Sequence, residues 1–125
     1  RRGAGPRVEG VRRVAADASS LASLMGAAPK AGIVYNCANP PYTEWVRNWP
    51  PLAAALLRYA ELTGAVLATC SNLYGYGPVE VPMTEGLPLA STGAKGRVRA
   101  QMWLDAKAAH DAGRIRATDA PWACT

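Results

Sequence analysis

Cysteine is scarce here: residues 37, 70 and 124 are the only three. Their odd number and the absence of any C-x-x-C spacing leave no metal-site pattern. Cys37 and Cys70 close apolar runs, where a free thiol behaves as a small hydrophobe; a reducing, cytoplasmic setting is expected. No run reaches the apolar length of a membrane span, so no membrane association is expected. Fourteen basic against nine acidic residues give a net charge of +5. However, Arg1, Arg2, Arg7, Arg12 and Arg13 crowd the start and the other basic residues are scattered. Without an aromatic-basic stripe, nucleic acid is not an expected partner. The only histidine, His110, falls near a helix end and reads as a C-terminal charge partner rather than a catalyst. Neither a signal peptide nor a transit segment is visible, and a first residue of Arg rather than Met suggests a fragment or a processed product. No internal repeat or low-complexity tract stands out.

What is present alternates between strand-like and helix-like segments. "VRRVAA" (11–16) is a short candidate strand. "DASSLASLM" (17–25) reads as a helix start capped by Asp17 or Ser19, with Leu21, Leu24 and Met25 on one face. "AGIVYNCA" (31–38) has strand length, and "NPPYTEWVRNWPP" (39–51) reads as a proline-broken loop with a helical turn around Trp45. The clearest helix is 50–64. A proline suits its first turn, Leu52, Leu56, Tyr59 and Leu62 or Thr63 form a stripe, and Gly64 stands just past its end. "AVLATC" (65–70) is a continuous apolar strand of the kind buried in parallel sheets. A loop over 79–93, a helix over 95–112 and a strand over 114–118 complete the order β-α-β-α-β-loop-α-β.

That alternation predicts an α/β fold with a parallel sheet and crossover helices. Ligands of such sheets sit at the carboxyl ends of the strands. Cys70, Ser71 and Asn72 end the most apolar strand, so they are either delivered into a ligand crevice or belong to a plain turn.

"AADAS", "VYNCANPP", "ATCSNLYGYGP" and the lysine of "STGAKGRVRA", in this order and spacing, resemble the extended or atypical short-chain dehydrogenase/reductase family. More narrowly, they resemble the NAD(P)-dependent epimerase/dehydratase group. The likeness covers nearly all of 1–118, read as a partial NAD(P)-binding Rossmann-like domain, with 119–125 as an irregular or truncated tail. It implies hydride transfer on a nucleotide sugar or a similar hydroxyl/carbonyl substrate, with NADP or NAD as cofactor. Asp17 and Ala18 match the pair that holds the adenine, a role that competes with a plain helix cap for Asp17. Asn36, Cys37 and Ala38 match the strand end beneath the nicotinamide, against ordinary packing for Cys37. Arg1 and Arg2 match basic residues facing the adenosine ribose, where an arginine favours the 2′-phosphate of NADP; a solvated basic stretch is the alternative.

The "YG" pairs match a strand-to-loop signature in which Tyr74 packs and, with Asn72, borders the substrate. The family's carbonyl-binding Ser or Thr falls on Cys70, with Ser71 next to it. Lys95 matches the lysine that bonds the nicotinamide ribose and lowers the pKa of a catalytic phenol four residues earlier. That earlier position holds Ser91, whose hydroxyl is far too weak an acid to replace a phenol. The departure leaves a second reading open, a non-catalytic nucleotide-binding or regulatory protein of the same fold.

The phosphate fingerprint G-x-G-x-x-G is missing, because Gly3–Gly5 follow no strand and precede Pro6. By the resemblance, one opening βαβ unit lies upstream. Its two strands leave a gap of about three strand spacings, ~14 Å, between residues 11–16 and 31–38, so that 11–16 lack their usual pairing partner and 31–38 lose one edge. Weak or no NADP binding by this chain alone follows from the missing cradle. The family's homodimer uses two long helices, for which 50–64 and 95–112 are the candidates.

Overall fold

The computed structural model describes residues 8–122. Three parallel strands, β1 (Ile33–Asn36), β2 (Val66–Asn72) and β3 (Arg116–Trp122), form one sheet in the order β1-β2-β3. Helix α1 (Leu21–Ala27) precedes the sheet, α2 (Trp45–Thr63) joins β1 to β2, and α3 (Ala94–Asp111) joins β2 to β3. A mixed α/β fold with crossover helices is therefore present, with three described strands rather than four.

The differences from the sequence reading have physical causes. Residues 11–16 form no strand, and Val11 and Val14 are exposed. The described sheet offers no neighbour beyond β1, and an unpaired strand has nothing to satisfy its backbone. The first helix starts after Ser20, whose side chain caps Ser23, rather than after Asp17 or Ser19. Helix α2 begins five residues before the first of its two internal prolines, Pro50 and Pro51. Both prolines are exposed, so water can reach the carbonyls of Val46 and Arg47 that their missing N–H groups leave free. Gly64 ends α2 at φ 72°, the left-handed turn a glycine allows. Leu62 is exposed rather than part of the stripe. β3 runs on through Asp119–Trp122, where an irregular tail was expected. It is an edge strand of the described sheet, where Pro121 is tolerated.

Strand alternation sorts the sheet into two faces. Val34, Leu67 and Ala117 pack toward the helices, while Ile33 and Tyr35 are exposed on the opposite side. Helices α2 and α3 lie side by side on the same face, as two parallel crossovers of one hand require. The core between them holds Trp45, Trp49, Leu52, Leu56 and Ala60 from α2, Leu67 from β2, Ala106 and Ala109 from α3, and Ile115 just before β3. The Tyr59 hydroxyl donates to the Ala28 carbonyl at 2.5 Å and ties the end of α1 to α2.

After β2 the chain makes one 3₁₀ turn (Leu73–Gly75) and lies directly on α3. The approach requires glycine on α3. A Cβ on Gly96 would come 2.5 Å from the Tyr74 carbonyl oxygen and collide with the Ser91 side chain. The higher helix propensity of alanine, worth about 1 kcal/mol, works against that clash. Overpacking of backbone atoms typically costs about 1–3 kcal/mol and dominates. Gly96→Ala should therefore lower the unfolding free energy measured in urea, by up to about 2 kcal/mol net. An unchanged or raised value would contradict this packing.

Candidate functional site

β1 ends at Asn36, opposite Thr69, while β2 runs on beside it to Asn72. Beyond them opens a hollow of about 490 Å³, floored by Cys37, Ala38, Cys70, Ser71 and Asn72 and walled by Tyr42, Trp45, Trp49 and Tyr74. A second hollow of about 690 Å³ lies along α2 and α3 over the helix-side face of the sheet. Asn36, Ser71, Arg99 and Asp119 line it, and Ser71 and Arg99 border both spaces.

The aromatic wall comes from one helical face. Tyr42, Trp45 and Trp49 are spaced i, i+3, i+7 across a 3₁₀ turn (Tyr42–Glu44) and the start of α2. Their rings meet edge to face at centroid distances of 5.0 Å and 6.3 Å, and Tyr74 joins Trp45 at 5.4 Å. The spacing was present in the sequence, but the prolines around it disguised it as a loop.

Two cations back this wall. Arg99 is 6% exposed and stacks its guanidinium 4.3 Å from the Trp49 ring and 5.6 Å from Trp45. Its Nε has no hydrogen-bond partner among the described residues. Burial pulls its pKa down, opposed by the charge of Asp119. Lys95 holds its ammonium 3.2 Å above the centroid of the Tyr42 ring. The Tyr42 phenol is more acidic than its ordinary 10.0. A hydrogen bond with Tyr74 contributes most, desolvation opposes it, and the charge and hydrogen bonding of Lys95 add to the lowering.

Ser71 donates to Asp119 Oδ2 at 2.7 Å, so its oxygen faces the surroundings as an acceptor. Burial pushes the Asp119 carboxyl above the usual carboxylate range, against the Ser71 hydrogen bond and the Arg99 charge. When Asp119 is protonated it can donate to Ser71 instead, which frees the serine proton. Cys37 and Cys70 touch, sulfur to sulfur, at 3.3 Å.

The structure thus gathers Cys37, Ala38, Cys70, Ser71, Asn72 and Tyr74 around one hollow, with Lys95 at its rim through Tyr42. Asn36, 4% exposed, lies beneath it and accepts the Ala38 amide at 3.3 Å. Asn72 caps the turn after β2 by accepting the Tyr74 amide at 3.2 Å. Asp17 and Ala18 line neither hollow. The Asp17 carboxylate accepts the amide (2.9 Å) and hydroxyl (2.6 Å) of Ser19, the hydroxyl bond being the first cause of its lowered pKa. Ala18 packs against the core. Arg1 and Arg2 lie outside the described residues. Ser91 donates its amide to the Gly75 carbonyl and lines neither hollow. Gly75 faces Leu89 and Ala100 rather than the hollow. His110, on the last turn of α3, accepts the Ala117 amide on Nδ1, an interaction that requires that nitrogen to be unprotonated.

Sequence reasoning missed Tyr42 and Arg99. Nothing local in the sequence pairs Tyr42 with Lys95, because they meet only through the packing of α2 on α3. No protein-family model matches the chain, and no curated protein matches it.

Followed by NMR and assigned by comparison with Tyr42→Phe, the Tyr42 phenol should titrate below 10.0. Lys95→Met should move its midpoint upward, since the ammonium favours the phenolate. An unmoved midpoint in Lys95→Met would contradict the pairing.

Proposed function

We propose that this chain carries the nicotinamide- and substrate-facing part of an NAD(P)-dependent epimerase, dehydratase or reductase. Its fold would be a partial Rossmann-like domain and its substrate a nucleotide sugar or a related hydroxyl/carbonyl compound. The observation that carries this reading is the hollow at the carboxyl ends of adjacent parallel strands, which meets a Tyr42 phenol acidified beside Lys95. Strand-end hollows are where open parallel sheets bind ligands.

The residues present suit only one end of a dinucleotide. A flat ring fits a floor of small side chains, Cys37 and Ala38, beside aromatic walls. Among the described residues, no glycine-rich loop opens a helix at this hollow to receive a diphosphate. A bound nicotinamide would supply the hydride donor or acceptor. Asn36, Cys37 and Ala38 would form its bed. Tyr42 Oη would hold or release the proton of the substrate oxygen, and Lys95 would favour its phenolate form when a hydroxyl is oxidised. Ser71 and Asp119 would orient that oxygen, with Ser71 as acceptor or, once Asp119 is protonated, as donor. Tyr42 would thereby take the part that Ser91 cannot.

The place of Ser91 outside both hollows favours a second reading, a nucleotide-binding protein without catalysis. The two differ in turnover, not in where the ligand sits.

Titrating the isotope-labelled full chain with NADP, NAD and a nucleotide sugar tests the site by NMR. Weak shifts confined to the amides of residues 36–49 and 70–74, abolished by Trp45→Ala, are expected. Shifts elsewhere, or none with any of the three ligands at the highest soluble concentration, would contradict the proposal.

A further inference from the structure

Cys37 and Cys70 are brought together by the backbone itself. β1 and β2 pair in parallel with Asn36 beside Thr69, so the next residues on each strand face each other on the same side. Their Sγ atoms stand 3.3 Å apart. A disulfide bond is about 2.05 Å long, so only a small approach separates contact from covalency. That approach has room to occur. β1 ends at Asn36, and the Cys37 amide turns back to the Tyr35 carbonyl at 3.2 Å instead of continuing the ladder. Cys37 is exposed, Cys70 is half-buried, and both open into the strand-end hollow.

We propose that Cys37 and Cys70 form a reversible dithiol–disulfide site that exchanges with low-molecular-weight disulfides of the glutathione type. The chemistry requires no other group. The Cys37 thiolate attacks one sulfur of the small disulfide RSSR, forming a mixed disulfide and expelling one thiolate RS⁻. Cys70, after giving up its proton, attacks the Cys37 sulfur. The Cys37–Cys70 bond forms and the second RS⁻ leaves. The two cysteine protons end on the two leaving thiolates, so the products are the protein disulfide and two RSH. Two electrons pass from the cysteine pair to the small disulfide.

The order of attack follows from exposure, since Cys37 is the sulfur a small disulfide can reach. Hydrogen bonding to Cys37, then burial, then the charges of Cys37 and Asp119 hold the Cys70 thiol above its ordinary pKa. That environment suits the second, intramolecular attack rather than the first. The bond would clamp the end of β1 to β2 across the floor of the hollow, whatever ligand the hollow takes.

The test equilibrates the full chain in glutathione buffers of increasing oxidised fraction, quenches with acid and alkylates the remaining thiols. Trypsin then separates the two cysteines into Ala31–Arg47 and Tyr59–Lys95. The expected result is a crosslink of these two peptides with loss of two hydrogens, reversed by reduced glutathione and unchanged in Cys124→Ser. Cys70→Ser should instead accumulate a glutathione adduct on Cys37, and Cys37→Ser should abolish the crosslink. Free thiols at both positions in fully oxidised buffer would overturn the proposal. So would a stable Cys37 adduct in the unaltered chain, or a dominant crosslink through Cys124.

Discussion

The parallel register between β1, β2 and β3 is the constraint from which the rest of the molecule follows. Asn36, Thr69 and Asp119 sit side by side across the sheet. One residue farther on, the same register sets Cys37 beside Cys70, and two residues past Thr69 it places Ser71 next to the strand that carries Asp119. A slip of one residue would exchange the faces: Leu67 would leave the core and Ser71 would lose its carboxylate partner. The row of buried Leu67 flanked by half-buried Val34 and Ala117 against α2 and α3 is what resists that slip.

Above the register sits a wedge of aromatic rings and cations. The guanidinium of Arg99 from α3 lies over the Trp49 ring and near that of Trp45, while Tyr42 receives Lys95 from the first turn of the same helix. These contacts fasten α2 to α3 at the end where the strands finish, and the same side chains wall the hollow. Packing and site are therefore one arrangement of residues. Gly96 permits it, because a side chain there would push away the turn that carries Tyr74.

Much of the fold was legible wherever one period ran uninterrupted. The second half of α2, its Gly64 stop, β2 and the span of α3 up to Gly113 all carry local signals that packing agrees with. The misses arise where a local signal was overruled. Pro50 and Pro51 hid the first turn of α2 because proline usually marks a start, yet here the freed carbonyls are on an exposed side. Pro121 hid the end of β3 because it forbids a central strand but not an edge. The valines of 11–16 promised a strand that has no neighbour among the described residues. In the site, residues on strand ends were readable because strand ends can be located: Cys37, Ala38, Cys70 and Ser71 share a hollow. The pairing of Tyr42 with Lys95, the burial of Arg99 and the contact between the two thiols depend on how distant segments pack, and no local pattern encodes that.

The strand register can be measured directly on the labelled chain from cross-strand nuclear Overhauser contacts between backbone protons. The structure predicts parallel-type contacts linking Tyr35 and Asn36 with Ala68 and Thr69, and Thr69 and Ser71 with Asp119 and Pro121. An antiparallel pattern, a shift of one residue, or no contact between β1 and β2 would contradict the account at its base.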